Sequence, residues 1–507
     1  MAPAFHRLLI LLSLLATGAA GQTGSIALPW SGHGHDAQHT GVSPVTSKAL
    51  GRVLWQTPVD LAPQYSGTSL LAHYGSPVIT RQNTVIHPVK TGAADGFRIE
   101  ARDGVTGALK WTQATGYTQP VHNWVMHVVA ALTPQNRVCF ADAGGTVSYR
   151  DTPDAATGGT GRLVFYGLAN YEADTAVFDA NVKINTPLTT DRYGNIYFGF
   201  VVTGSTTPAL QSGIARIAED GSGSWVSAGT AAADGAMKRL PHNLAPALSN
   251  DHKTLYVAVR GDDSFGYLLA LDSRTLVTTG KIRLKDGLNP LNDARMLDDG
   301  TAAPMVGPDG DVYFGVFEHS WGSNHYRGWL RHYDKTLTQT KPTGAFGWDH
   351  TPSVVPAKLV PTYQGASKYL LLSKYNNYAG IGGDGVNKLA ILDPNETMTD
   401  PISGAQVMDE VMTIVGPTPD LDYPSAPDAV LEWCVNTVAI DTAKHSAIVH
   451  SEDGHVYRWD FHTNTLTETL MVTPDVREAY TPSIIGVDGT VYVIANAILF
   501  AIGEALP

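Results

Sequence analysis

Cysteine is nearly absent, with two residues, Cys139 and Cys434, in a chain of 507. That scarcity excludes a disulfide scaffold and any metal centre built on several thiolates. A disulfide needs Cα atoms within about 7 Å. The two cysteines fall in distant parts of the chain and are expected as buried thiols. Basic residues are in deficit, with Lys+Arg 34 against Asp+Glu 47 and a formal charge of −13. No basic run occurs, so a nucleic-acid or anionic-membrane partner lacks the basic face it requires. Long apolar runs are missing too. Leu8–Leu15 is the strongest, well short of the roughly 20 residues that cross a bilayer, so no membrane span is expected. No nucleophile elbow, phosphate loop or His-Glu-x-x-His helix is present.

Turn formers are plentiful instead. Gly at 51 and Tyr at 21, with few long amphipathic patterns, suit an all-β chain. The phrase Ala479-Tyr-Thr-Pro-Ser-Ile-Ile-Gly-Val-Asp-Gly-Thr-Val-Tyr-Val493 recurs in variants, for example around Pro187, Pro246 and Pro304. It reads as a strand, a tight Asp-Gly or Asn turn, and a second strand ending in an aromatic. Recurrence every 40–60 residues or so indicates a repeat architecture, here a β-propeller. Aligned on the residue before the proline, the copies centre on Ser76-Pro77, Val128-Val129, Thr186-Pro187, Ala245-Pro246, Ala303-Pro304, Thr351-Pro352, Thr437-Val438 and Thr481-Pro482. This predicts eight blades; seven, with one hairpin as a decoration, is the alternative. The last unit is one strand short, and Arg52–Asp60 supplies a spare strand to close the ring and remove exposed edges.

Met1 to about Gly21 has the make-up of a secretory signal peptide. His6-Arg7 gives a positive start, Leu8–Leu15 an apolar core, and Gly18–Gly21 a small-residue cleavage region. The expected organisation is a signal peptide over 1–21, a lead-in over 22–51 and one propeller domain over 52–507. The mature protein is expected to be secreted or periplasmic, and monomeric.

Phe97-Arg-Ile-Glu-Ala-Arg-Asp-Gly-Val-Thr-Gly-Ala-Leu-Lys-Trp111 resembles the repeat of pyrroloquinoline-quinone (PQQ) type propellers, with Ala101, Asp103, Thr106, Gly107 and Trp111 in register. Gly266–Leu276 and Lys388–Pro394 are weaker copies, and Trp30–Ser43 looks like the lead-in of such proteins. The resemblance implies an eight-bladed ring. In dehydrogenase members it also implies PQQ and a Ca²⁺ ion at the centre, covered by a ring of two adjacent cysteines. This chain has no Cys-Cys pair, and no Asn, Glu and Asp set stands out as calcium ligands. No cofactor is therefore assigned, with PQQ and Ca²⁺ kept as an alternative.

In a propeller the innermost strands line the axis and alternate faces with period two. The residue before each aligned position then forms a ring of Gly75, His127, Asn185, Leu244, Ala302, His350, Asn436 and Tyr480. Two residues earlier lie His73, Val125, Lys183, His242, Gly300, Trp348, Cys434 and Glu478. Loops leading in add His122, Asn123, Trp124, Asn243, Asp349, Glu432, Trp433 and Arg477. Such a gathering suits a polar, saccharide-like ligand held by His73, His122, Trp124, Lys183, Asn185, His242, Trp348, Asp349, Trp433, Asn436 and Glu478. A second expectation is a polysaccharide lyase or hydrolase. There His127 or His350 moves protons, Tyr480 or Glu432 assists, and Arg477 or Lys183 neutralises a carboxylate. The alternatives are a solvated channel with packing tryptophans, and a protein-interaction scaffold. Glu318–Arg327 and Lys374–Tyr378 are rich in His, Asn and Tyr and suit hydrogen bonding to hydroxyls. His33–His39 has the composition of a metal site in a glycine-rich context, and is expected to pack on the ring. Asp262-Asp263 and Asp298-Asp299-Gly300 read as turns.

Overall fold

The computed structural model describes residues 30–67, 69–93, 95–121, 128–298, 300–474 and 482–504. The repeated phrase forms eight antiparallel sheets, the blades of a closed propeller. The inner strands are Val78–Ile79, Ala131–Leu132, Thr189–Thr190, Ala247–Leu248, Met305–Val306, Ser353–Pro356, Ala439–Asp441 and Ile484–Ile485. Each starts just after the aligned dipeptide of its repeat. Arg52–Pro58 pairs antiparallel with Ile498–Gly503, setting Trp55 opposite Ala501 and Pro58 opposite Ile498. The N-terminal strand thus completes the eighth blade, and the seven-bladed alternative falls.

Second and third strands are buried on both faces, as in Val312–Val316 and Trp329–Tyr333 of the fifth blade, because each is covered by a neighbouring blade. Outer strands such as Thr465–Met471 alternate exposed and half-buried residues, as a one-sided strand must. Full burial of one Val, Leu or Phe contributes about 1.5–3 kcal/mol. Blade-to-blade packing therefore carries the fold. The fifth blade has three full strands. Its outer edge is covered by Thr340 and Gly344, which pair with Tyr333 and Leu330, and by Val407 of the sixth blade, parallel to Thr343.

The turn named by the resemblance works through one carboxylate. Asp103 accepts from the backbone N–H of Val105 and Thr106 and from the Thr106 hydroxyl, at 3.0–3.2 Å. Gly107 follows at φ +71°, where a Cβ would lie 2.7 Å from the Trp55 ring, so glycine is required there. Trp111 reaches the next blade, its indole N–H donating to the Pro153 carbonyl at 2.7 Å. Asp272 with Thr275 and Asp460 with Thr463 repeat the turn. Leu276 and Asn464 take the left-handed position there, at φ +59° and +52°.

The lead-in is a plug. Carbonyls of Trp30, Ser31, Ala37, Gln38, Thr40 and Gly41 accept from Ile79, Leu132, Leu248, Val306, Val354 and Ile440, at 2.7–3.0 Å. These donors sit in the inner strands of six blades. Gly32 lies against the third blade, where a Cβ would be 3.8 Å from the Leu188 carbonyl. Lys48 donates to Gly489 of the eighth blade at 2.7 Å. Asp36 organises the plug, accepting from the backbone N–H of Gln38 and Thr40 and from the Thr40 hydroxyl. Inner strands have no partner toward the axis, and the plug satisfies N–H groups that would otherwise be orphaned. Among the described residues, no helix is long and apolar enough to cross a membrane.

Candidate functional site

The plug occupies the face where inner strands end. The opposite face carries the loops leading into those strands and the loops between second and third strands. Of the ring and loop residues singled out by sequence, His122, Asn123, Trp124, Val125, His127, Arg477, Glu478 and Tyr480 lie outside the described residues. Several of the described ones, among them Asn185, Asn243, His350 and Asn436, form a hydrogen-bonded belt rather than an open lining. Asn185 is fully buried, donates to the Leu240 carbonyl at 3.0 Å and lies 3.2 Å from His242 Nδ1. Asn243 donates through its backbone to Asn185 and through its side chain to Gly300, both at 3.2 Å. Asn436 reaches the Thr301 carbonyl at 3.0 Å, and its own carbonyl accepts from Thr351 at 3.0 Å. His350 is enclosed, with ring nitrogens 3.3 and 3.4 Å from the carbonyls of Val435 and Leu372. Burial, helped by the Lys374 charge, pushes this imidazole down to about 3, so it is neutral at ordinary pH. His73 is likewise enclosed. These side chains tie blade to blade where no strand ladder can.

A charged nest lies between the sixth and seventh blades. Lys374 and Asp349 form an ion pair at 3.1 Å with both side chains fully buried. Beside them Glu432 and Glu452 are half-buried and interlocked. The Glu432 N–H donates to Glu452 Oε2 at 3.3 Å, and Asn376 donates to Glu432 Oε2 at 3.4 Å. Burial, then the Glu452 charge, raises the Glu432 carboxyl well above its ordinary value. Trp433 is a core residue packed edge-on against Tyr457, with ring centres 5.8 Å apart.

An open cleft of about 1160 Å³ lies over the third and fourth blades, on the face away from the plug. Its walls come from the 201–212 loop, from 227–242 with its short helix Ala228–Ala232, and from Asp262 and Asp298. Ser205, Gln211, Lys238, Arg239 and His242 face it. Arg239 bonds Asp298 at 2.5 Å and Asp262 at 3.3 Å, and Arg260 bonds Asp298 at 3.0 Å. Burial opposes ionisation of Asp298, but the charges of His242, Arg260 and Arg239 prevail and hold its carboxyl low. Lys183 sits below the rim, donating to the Gln119 carbonyl at 3.1 Å. Of the residues expected from sequence, His242 lines this cleft, with buried Asn185 behind it at 3.2 Å. Arg239 and Lys238 were missed, and Asp262 and Asp298, read as turns, are cleft-wall ligands of Arg239. The available signal was the length of the 228–246 connection, too long for a blade-to-blade turn.

On the fifth blade a second feature faces the same side. Phe317, Trp321, Tyr326 and Trp348 form a ring cluster, in which Phe317 lies 4.7 Å from Trp321 and 5.5 Å from Trp348. His325 of this loop meets Asn377 of the sixth blade at 3.0 Å, joining two segments singled out by sequence.

No family model and no curated protein matches the chain. Solved structures do. A europium-containing methanol dehydrogenase is 10% identical, covering 92% of this chain and 89% of its own, with a TM-score of 0.55. A quinohemoprotein alcohol dehydrogenase from Comamonas testosteroni is 12% identical, covering 96% and 82%, with a TM-score of 0.56. Sqt1 of Saccharomyces cerevisiae is 11% identical, covering 91% and 100%, with a TM-score of 0.51. The protein is thus an eight-bladed all-β propeller with the fold of the PQQ-type alcohol dehydrogenases. At these identities the likeness is one of fold, and function must be argued from the site.

The described residues do not suit PQQ with Ca²⁺, the pair that the sequence resemblance implied. Asp298 is already neutralised by two arginines, and Asn185 and Asn436 are spent on neighbouring carbonyls. No group of three or more His, Cys, Asp or Glu is disposed to hold a metal among the described residues. Cys139 and Cys434 are separate buried thiols, and burial raises the Cys139 thiol to about 12.

Proposed function

We propose that this is an exported propeller that binds a polar, saccharide-like ligand in the cleft over its third and fourth blades. The observation that carries the reading is the cleft itself, about 1160 Å³ and open on the unplugged face. It exceeds the roughly 300–1,000 Å³ usual for small-ligand sites, which suits an extended ligand. Hydroxyl and amide groups of Ser205 and Gln211 and the ammonium of Lys238 match a hydroxyl-rich or uronic-acid chain. Export rests on the signal-like composition of residues 1–21.

The test is a thermal-shift and calorimetric screen of the mature protein against neutral and acidic oligosaccharides. Specific binding raises stability by about 2.7 kcal/mol at a hundredfold excess over Kd. Lys238→Ala and Gln211→Ala should weaken it. Absence of binding across the panel would overturn the reading.

A second reading, hydrolysis or elimination of a polysaccharide, is favoured by Glu432. A carboxyl whose proton affinity is raised by burial and by the Glu452 charge, beside a buried Lys374–Asp349 pair, has the properties of a proton donor. Product analysis with wild type and Glu432→Gln separates this enzyme from a binding protein.

A further inference from the structure

We propose that the exposed indole of Trp321 is a stacking subsite for saccharide rings, continuous with the cleft, so that the ligand is an oligosaccharide spanning the third to fifth blades. The proposal rests on the saccharide reading of the cleft and adds the ligand's length and second contact. Sugar rings have a polar edge and an apolar C–H face. The described residues lining the cleft supply polar partners and aliphatic groups such as Val202 and Leu210 but include no Phe, Tyr or Trp, so they offer no flat ring on which a sugar can stack.

Trp321 supplies one. The residue is 58% exposed, yet its position is built. It rests on Phe317 at 4.7 Å and meets Tyr326 edge-on at 5.9 Å. The Trp348 indole donates to the Tyr326 carbonyl at 2.6 Å. Beneath, fully buried Glu318 accepts from the Asn324 N–H at 2.9 Å. Arg327 pairs with Asp400 at 2.6 Å, both side chains 2% exposed. His325 and Tyr326 stand at φ +54° and +60°, a conformation that persists only where surroundings over-determine it. The loop is therefore rigid, and a rigid aromatic platform binds with little ordering cost. At its rim the half-buried imidazole of His325 is held through Nδ1 by Asn377 at 3.0 Å.

The platform adjoins the cleft through bonds. Asp262 lines the cleft, and the carbonyl of the next residue, Asp263, accepts from Arg295 at 3.4 Å. Arg295 also donates to the His319 carbonyl at 2.8 Å, two residues from Trp321.

The experiment titrates neutral and uronic-acid oligosaccharides of increasing length into wild type, Trp321→Ala, Trp321→Phe and Lys238→Ala, by calorimetry and tryptophan fluorescence. We expect affinity to rise with length. Trp321→Ala should lose on the order of tenfold for the longer oligomers, as a truncated aromatic anchor costs more than about 1 kcal/mol, and nothing for the shortest. Trp321→Phe should restore most of the loss, and Lys238→Ala should weaken all lengths. Undiminished long-oligomer binding by Trp321→Ala would overturn the subsite while leaving the cleft reading intact. Failure of every oligomer to bind wild type would overturn both.

Discussion

The two faces of the ring are made from the same repeats and end up with opposite properties. On one face, short turns and a single traverse of the lead-in close the axis, with backbone bonds to seven of the eight blades. On the other, connections are long, carry helices and ion networks, and leave a cleft and an aromatic platform open. The difference lies in loop length. Most turns that follow the inner strands are short and lie under the plug, whereas on the other face the loops between second and third strands and the connections to the next blade carry insertions, as at 203–212, 317–328 and 228–246. One face therefore stabilises the ring, and the other is available for binding.

This contrast can be broken first at the plug. Trp30 is fully buried against the first blade, and Trp30→Ala should cost about 3–5 kcal/mol. The loss should appear as a lower urea midpoint for the whole ring. On the opposite face, Asp400→Ala leaves Arg327 buried without its carboxylate, a change costing up to about 3–5 kcal/mol. Faster amide exchange should be confined to 317–328 and the 399–406 hairpin turn. Exchange spreading through all blades would mean that the platform loop is part of the global core.

Glu318 sharpens the comparison through pH. Burial lifts its carboxyl from 4.5 to about 7. The folded state then keeps a proton that the unfolded chain has released. Its contribution is fully present below about pH 4.5 and is lost as pH rises through 7, by at most about 3 kcal/mol. The Tm of Glu318→Gln relative to wild type should therefore increase from pH 5 to 8; a flat difference would contradict the buried carboxyl. The smallest effect belongs to a turn on the outer rim. Thr275→Ala removes the hydroxyl bond to Asp272 at 2.8 Å and should cost about 0.5–1 kcal/mol in chemical denaturation, without touching ligand binding.

The repeat, the number of blades and the closing strand were legible because their signals are local. A proline before an inner strand, an Asp-x-x-Thr turn and alternating apolar residues each act over a few positions, where steric and hydrogen-bond rules hold regardless of context. A third copy of that turn, Asp460 to Asn464, carries Asn at the left-handed position that Gly107 takes in the first, and no apolar-Asp-x-x-Thr-Gly spelling marks it in the sequence although Asn also tolerates positive φ. The plug was legible as a segment packing on the ring, but its contact with blade after blade was not. For the site, the sequence placed Asn185, His350 and Asn436 at the right level of the ring. Only packing decided that their polar atoms turn to neighbouring carbonyls. Arg239 with Asp298, Arg327 with Asp400 and His325 with Asn377 join loops of different connections or blades. No spacing rule links such residues, because their distance is set by how rigid blades pack around an axis. The sequence by itself determined the propeller; the tertiary structure decided which face is open and what lines it.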